Sequence, residues 1–111
     1  MLPKKNRLTK KTDFDAVFKN GKSIKTDFSV WKVSESHLPE SRFGFVVSKK
    51  VSNKAIVRNK VKRRLRSIVF AQLKNISLSK EVVVVTLPGI EKKEFSEIQD
   101  MVSHFFKKIR A

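Results

Sequence analysis

With 111 residues, 40% of them hydrophobic, the chain is long enough for one buried core and too short for two. Its 26 Lys and Arg against 10 Asp and Glu give a formal charge of +16, a self-repulsion that a polyanionic partner would offset. There is no cysteine, hence no disulfide or thiolate metal site; no apolar run reaches the roughly 18 residues of a membrane span, and the N-terminus lacks a secretory apolar segment, so a soluble, cytosolic protein without a membrane partner is expected.

Residues 1–11 carry five basic and no acidic side chains. A short helix follows. Thr12 can cap it, Asp13 and Asp15 suit the positive end of its dipole, and Asn20-Gly21 supplies a stop. Phe14, Val17 and Phe18 then share one helical face. Residues 23–25 and 28–33 read as extended, with Phe28 and Val30 on one side and Trp31 and Val33 on the other. A loop through Ser36-His37-Leu38-Pro39 leads to a strand over 42–49. A third long strand, 81–87, contains Val82-Val83-Val84-Val85, a run that suggests burial on both faces, and Pro88-Gly89 ends it.

Between those two strands the pattern predicts a helix over 54–74. At about 100° per residue from Arg58, Val57, Val61, Leu65, Ile68 and Ala71 fall in an apolar sector of about 220° to 340°. Arg58, Asn59, Lys60, Lys62, Arg63 and Arg66 occupy the complementary arc. The helix should therefore dock on the sheet by one side and offer a cationic ridge by the other. Val69, Phe70 and Leu73 break the pattern, which calls for a further covering element near its end. The last helix, 94–109, is the candidate, with a stripe of Phe95, Ile98, Val102, Phe105 and Ile109 and with its acids first and Lys107, Lys108 and Arg110 last. The order αβββαβα describes a single-domain α+β sandwich over residues 1–111. Its strand–helix–strand unit could pair in parallel, and the general rule would make that crossover right-handed.

Protein-borne catalysis finds few parts here. A metal-dependent nuclease needs clustered carboxylates, whereas Asp13 and Asp15, two residues apart on a helix, point apart. His37 and His104, in a loop and on the last helix, would have to meet for histidine-based cleavage, and a surface position is the better reading of each. Gly21, Gly44 and Gly89 form no phosphate-cradling loop, and no small-molecule substrate is indicated. Recognition remains. From Ser41 to Lys80 there are twelve Lys or Arg and no acid, and seven basic residues lie among the thirteen from Lys54 to Arg66. Guanidinium forks and ammonium charges at that density suit a phosphate backbone but do not read sequence. Phe14, Phe18 and Trp31 could stack unpaired bases if they line a groove, although spacing alone favours core rings.

The segment Ala55-Ile56-Val57-Arg58-Asn59-Lys60-Val61-Lys62-Arg63-Arg64-Leu65-Arg66 closely resembles the signature of the protein subunit of bacterial ribonuclease P. Asn6-Arg7-Leu8, Asp13-Phe14-x-x-Val17-Phe18-x-x-Gly21 and Gly44-x-x-Val47-Ser48-Lys49-Lys50 are similar to the family's other recurrent blocks, in order and spacing. The resemblance implies a ribosomal-protein-like two-layer fold with a left-handed crossover around the basic helix. It also implies an RNA subunit that cleaves precursor tRNA with Mg²⁺ held mainly by that RNA, and no catalytic residue or metal site on the protein. The partners it implies are the catalytic RNA and precursor tRNA. Arg58, Asn59, Lys60, Lys62, Arg63, Arg64 and Arg66 would bind the catalytic RNA. Phe14, Phe18 and Trp31, with Lys49 and Lys50 nearby, would hold the 5′ leader between the first helix and the sheet. Trp31 stands where the family often has a different aromatic residue, and Arg64 where an apolar one is usual. The alternatives are a structural, ribosomal-type RNA-binding protein, a self-sufficient nuclease using Asp13 or His104, and a DNA-binding protein.

Overall fold

In a computed structural model describing residues 2–36, 38–73 and 79–110, the first predicted helix is α1, Lys11–Asn20. It begins one residue before Thr12, which therefore lies inside the first turn and does not cap it. The N-cap is Lys10, with no side-chain cap; its carbonyl accepts from the Asp13 and Phe14 amides at 3.0 and 3.2 Å. Asp13 turns instead to Arg42, 3.3 Å away. Gly21 closes the helix by donating to the Val17 carbonyl at 2.7 Å.

The alternating segment that follows forms an antiparallel hairpin of β1, Lys22–Thr26, and β2, Ser29–Glu35. Phe28 does not belong to the strand. It sits in the two-residue turn at φ 62°, where its carbonyl accepts from the Leu87 amide at 2.9 Å. β3 spans Arg42–Val46, shorter than the sequence pattern suggests because the chain turns at residues 49–51, closed by a Val51 amide bond to the Ser48 carbonyl at 3.0 Å. β4 spans Lys80–Thr86 and lies between β2 (antiparallel) and β3 (parallel), in the sheet order β1-β2-β4-β3. The central position explains the valine run: Val82, Val83 and Val84 are all fully buried, on alternate faces.

The predicted long helix is α2, Ala55–Leu73, with Lys74 outside the described residues, and the last is α3, Phe95–Arg110. Register assigns the sheet's two faces. Trp31, Val33, Phe43, Phe45, Val82 and Val84 share the face that forms the main core with Leu65 and Ile68 of α2 and Ile98, Val102 and Phe105 of α3. Val83 on the other face packs with Val17 and Phe14 of α1 and with Leu8. α2 buries Val61, Leu65, Ile68 and Val69, with Phe70 and Leu73 packed against them. Ala71, at the rim of the expected apolar sector, is exposed, because the last turns bring Val69 rather than Ala71 inward. α3 does lie along α2: the Gln72 amide donates to the Gln99 carbonyl at 3.2 Å, and Ser103 donates to Gln72 at 3.0 Å. Of its stripe, Phe95 stays 43% exposed, while Met101 and Phe106, outside the stripe, are buried. The basic N-terminal segment is docked rather than loose. Leu2 and Leu8 are buried, Asn6 donates to the Ser41 carbonyl at 2.7 Å, and the Leu8 amide donates to the Phe43 carbonyl at 2.9 Å.

Candidate nucleic-acid interface

A helix that seats Val61, Leu65 and Ile68 on a sheet must present the intervening positions outward, and in α2 those positions are cationic. Asn59, Lys60 and Arg63 are exposed, and Arg58, Lys62, Arg64 and Arg66 are partly so. None of these cations joins an ion pair among the described residues; the ion pairs present are those of Arg42 with Asp13 and Glu81, Lys80 with Glu35, and Lys93 with Glu97. The first turn of α2 carries no acid either. Arg58 and its neighbours thus crowd the positively polarised end of a helix dipole, an unfavourable arrangement that an external anion relieves. Arg58 also serves the fold, because its guanidinium donates to the Ser52 and Asn53 carbonyls, both at 3.0 Å, and so anchors the loop that enters the helix.

The ridge has two flanks. Arg58, Lys62 and Arg66, four residues apart in turn, run along one side within about 80° of each other. Lys62 and Arg66 line a hollow of about 300 Å³ with Arg7, Phe14, Phe43 and Phe45. The structure therefore brings Phe14 of the expected leader site beside two residues of the expected catalytic-RNA site. Lys60, Arg63 and Arg64 lie on the other side, toward the start of α3.

Phe14 is half-buried and rests on Gly44. A Cβ added there would come 2.4 Å from the Phe14 Cζ, so only glycine lets the ring settle on β3. Gly44→Ala is expected to lower the unfolding free energy by about 1–3 kcal/mol in urea denaturation, with part of the loss recovered by adding Phe14→Leu. An unaltered midpoint would mean that the ring does not need that contact. Phe18, one turn along, is 42% exposed and is the open ring of this face.

Trp31 does not join this cleft. It is fully buried on the opposite face of the sheet, stacked on Phe105 with ring centroids 3.9 Å apart, and its indole donates to Thr26 and Ser29 at 3.0 and 2.9 Å. The β2 residues on the α1 face are Val30, Lys32 and Ser34. Strict alternation separates the two sets, but which set meets α1 is decided by tertiary packing, and for that reason the sequence pattern does not single out Lys32. Lys49 and Lys50 are exposed in the turn after β3 rather than on a strand.

Asp13 and Glu81 flank Arg42, whose Nε donates to Glu81 at 2.6 Å, while Asp15 is exposed. His104 is exposed on α3, and His37 lies outside the described residues. A cavity of about 520 Å³ is lined by Asp27, Glu97, Asp100 and His104 together with Lys25 and Lys108, well apart from the ridge in sequence and mixed in charge. Among the described residues no three His, Asp or Glu side chains are placed to hold a metal ion.

Comparisons with known proteins agree on one family. The family model described as Ribonuclease P matches residues 2–110. The ribonuclease P protein component of Bacillus mycoides (strain KBAB4) is 33% identical over 108 residues, covering 96% of this chain and 93% of its own. That of Acidothermus cellulolyticus is 38% identical over 100 residues, covering 88% and 82%. Among solved structures, the RNase P protein of Staphylococcus aureus superposes with a TM-score of 0.85 at 28% identity, covering 94% of each chain. The RNase P protein of Thermotoga maritima gives 0.82 at 28% identity, covering 92% and 96%.

Proposed function

This chain belongs to the ribonuclease P protein family, and from that membership we propose that it is the protein subunit of an RNA-catalysed endoribonuclease, binding the catalytic RNA and the 5′ leader of precursor tRNA during removal of that leader. The observation that carries this reading is the α2 ridge, whose cations have no counter-ion within the described protein and wait on one from outside. Arg58, Asn59, Lys60, Lys62, Arg63, Arg64 and Arg66 meet the catalytic RNA through its phosphates. Phe14 and Phe18 offer rings to the leader, with Lys49 and Lys50 adding charge. Trp31 drops out of that set, and Lys32 is the cationic β2 side chain on the α1 face.

Among the described residues no cluster of acids or imidazoles is placed to hold Mg²⁺. In this reading the ion stays with the RNA, and the protein contributes affinity and position. Among the described residues no helix is long and apolar enough to cross a membrane, and the proposed site of action is the cytoplasm, where precursor tRNA is found.

Reconstitution tests the reading. Added to a bacterial ribonuclease P RNA at low Mg²⁺, the purified chain is expected to stimulate precursor tRNA cleavage and to cleave nothing by itself. Absence of stimulation would remove the assignment to leader processing and leave a structural RNA-binding role.

A further inference from the structure

Phe95 is the anomaly of α3. It heads a stripe whose next members are sealed, Ile98 at 1%, Val102 at 0% and Phe105 at 0% exposed, yet its own ring is 43% open. It makes no ring–ring contact among the described residues. A single open ring is ordinary at a protein surface, so its surroundings rather than its exposure set Phe95 apart. What surrounds it is cationic. Phe95 forms one wall of a shallow groove of about 290 Å³ whose other walls are Lys60, Arg63, Arg64 and Ser67. Among the described residues no acid lines that groove. Nearby Glu97 is engaged with Lys93, and Glu91 accepts from the Gly89 amide at 2.7 Å.

An open aromatic face flanked by three cations that join no ion pair among the described residues has the two elements that a single-stranded nucleotide needs. The ring accepts a base by stacking, whatever its identity, and the guanidinium and ammonium groups bind the adjoining phosphates. A duplex satisfies only the second, because its bases are already stacked on one another. We infer that this groove captures an unpaired nucleotide of the RNA partner, its base on Phe95 and its phosphates on Lys60, Arg63 and Arg64. The inference rests on the reading of the chain as an RNA-binding subunit and adds to it a base-contacting site on the α3 flank, separate from the Phe14 and Phe18 cleft.

The test titrates the full chain against a bacterial ribonuclease P RNA. Phe95→Leu keeps an apolar side chain and removes the stacking surface; it is expected to weaken binding roughly 5- to 100-fold, the range of one base–aromatic stack, and to leave the slope of log affinity against log salt unchanged. Lys60→Gln with Arg63→Gln should instead flatten that slope by about one to two units. A Phe95→Trp variant gains an exposed indole, distinct from buried Trp31, whose emission should be quenched when RNA binds. Tight wild-type binding with Phe95→Leu within twofold of it and no quenching at position 95 overturns this inference alone. A wild-type chain that fails to bind the RNA removes the underlying reading together with it.

Discussion

Truncating Trp31 to alanine is expected to cost about 3–5 kcal/mol of stability while leaving RNA affinity intact in whatever fraction stays folded. The ring is fully buried, lies flat on Phe105 at 3.9 Å, and closes the space between β2 and α3. Its removal deletes a stacked aromatic pair and leaves a cavity that the flanking strands, held in register on both sides, cannot collapse to fill. The two hydroxyls that accept its N–H are spared a penalty, because Thr26 and Ser29 are already 2.5 Å apart and can bond each other. Trp31→Phe should therefore sit between, losing about 1–2 kcal/mol, since it retains the stack and gives up the indole bonds. For a domain of this size the alanine variant's melting temperature should fall by roughly 12 °C or more. Urea denaturation and RNA titration of the same preparations separate the two roles. An alanine variant as stable as the parent but weaker on RNA would return Trp31 to the leader site.

The contrast between Trp31 and α2 marks where sequence reading succeeds. In a helix the burial sector and its complement are both fixed by one periodicity, so the docking of Val61, Leu65 and Ile68 and the outward ridge follow from the same residues. The parallel pairing of β3 with β4 and the two-sided burial of Val82, Val83 and Val84 were legible for a similar reason, since a continuous apolar run has to be covered twice. A period of two, by contrast, sorts Trp31 from Lys32 without saying which of them meets α1. That choice is made by α3, at the far end of the chain, whose Phe105 takes the Trp31 side. Thr12 and Phe28 failed on local terms: the helix starts two residues early, capped at Lys10 rather than Thr12, with Asp13 drawn across to Arg42, and Phe28 occupies a left-handed turn position that its side-chain type does not advertise. Phe95 reads from its spacing as one more core position, and only the cationic surroundings of its open ring in the folded chain set it apart.

Replacing Arg58, Lys62 and Arg66 together by glutamine should weaken RNA binding steeply while leaving stability close to that of the parent. On the RNA side, three lost phosphate contacts would flatten the slope of log affinity against log salt by about 2 to 3 units, and at 0.1 M salt would weaken binding by a similar number of decades. On the folding side the same changes remove charges that have no counter-ion within the described protein and that repel one another along a single helix flank. Arg58 opposes that gain, because its guanidinium holds the Ser52 and Asn53 carbonyls at 3.0 Å and glutamine does not reach both. The two contributions, each on the order of 1 kcal/mol, should leave the urea midpoint close to that of the parent. Restricting the change to Lys62→Gln and Arg66→Gln removes the opposing contribution, so this pair should hold or raise stability while still flattening the slope by about 1.4 to 1.8 units. A ridge retained for the fold would give the reverse, a lower midpoint with an unchanged salt slope. That outcome would end the case for a phosphate-facing α2, because cations that stabilise the isolated chain would have found their counter-charge inside it.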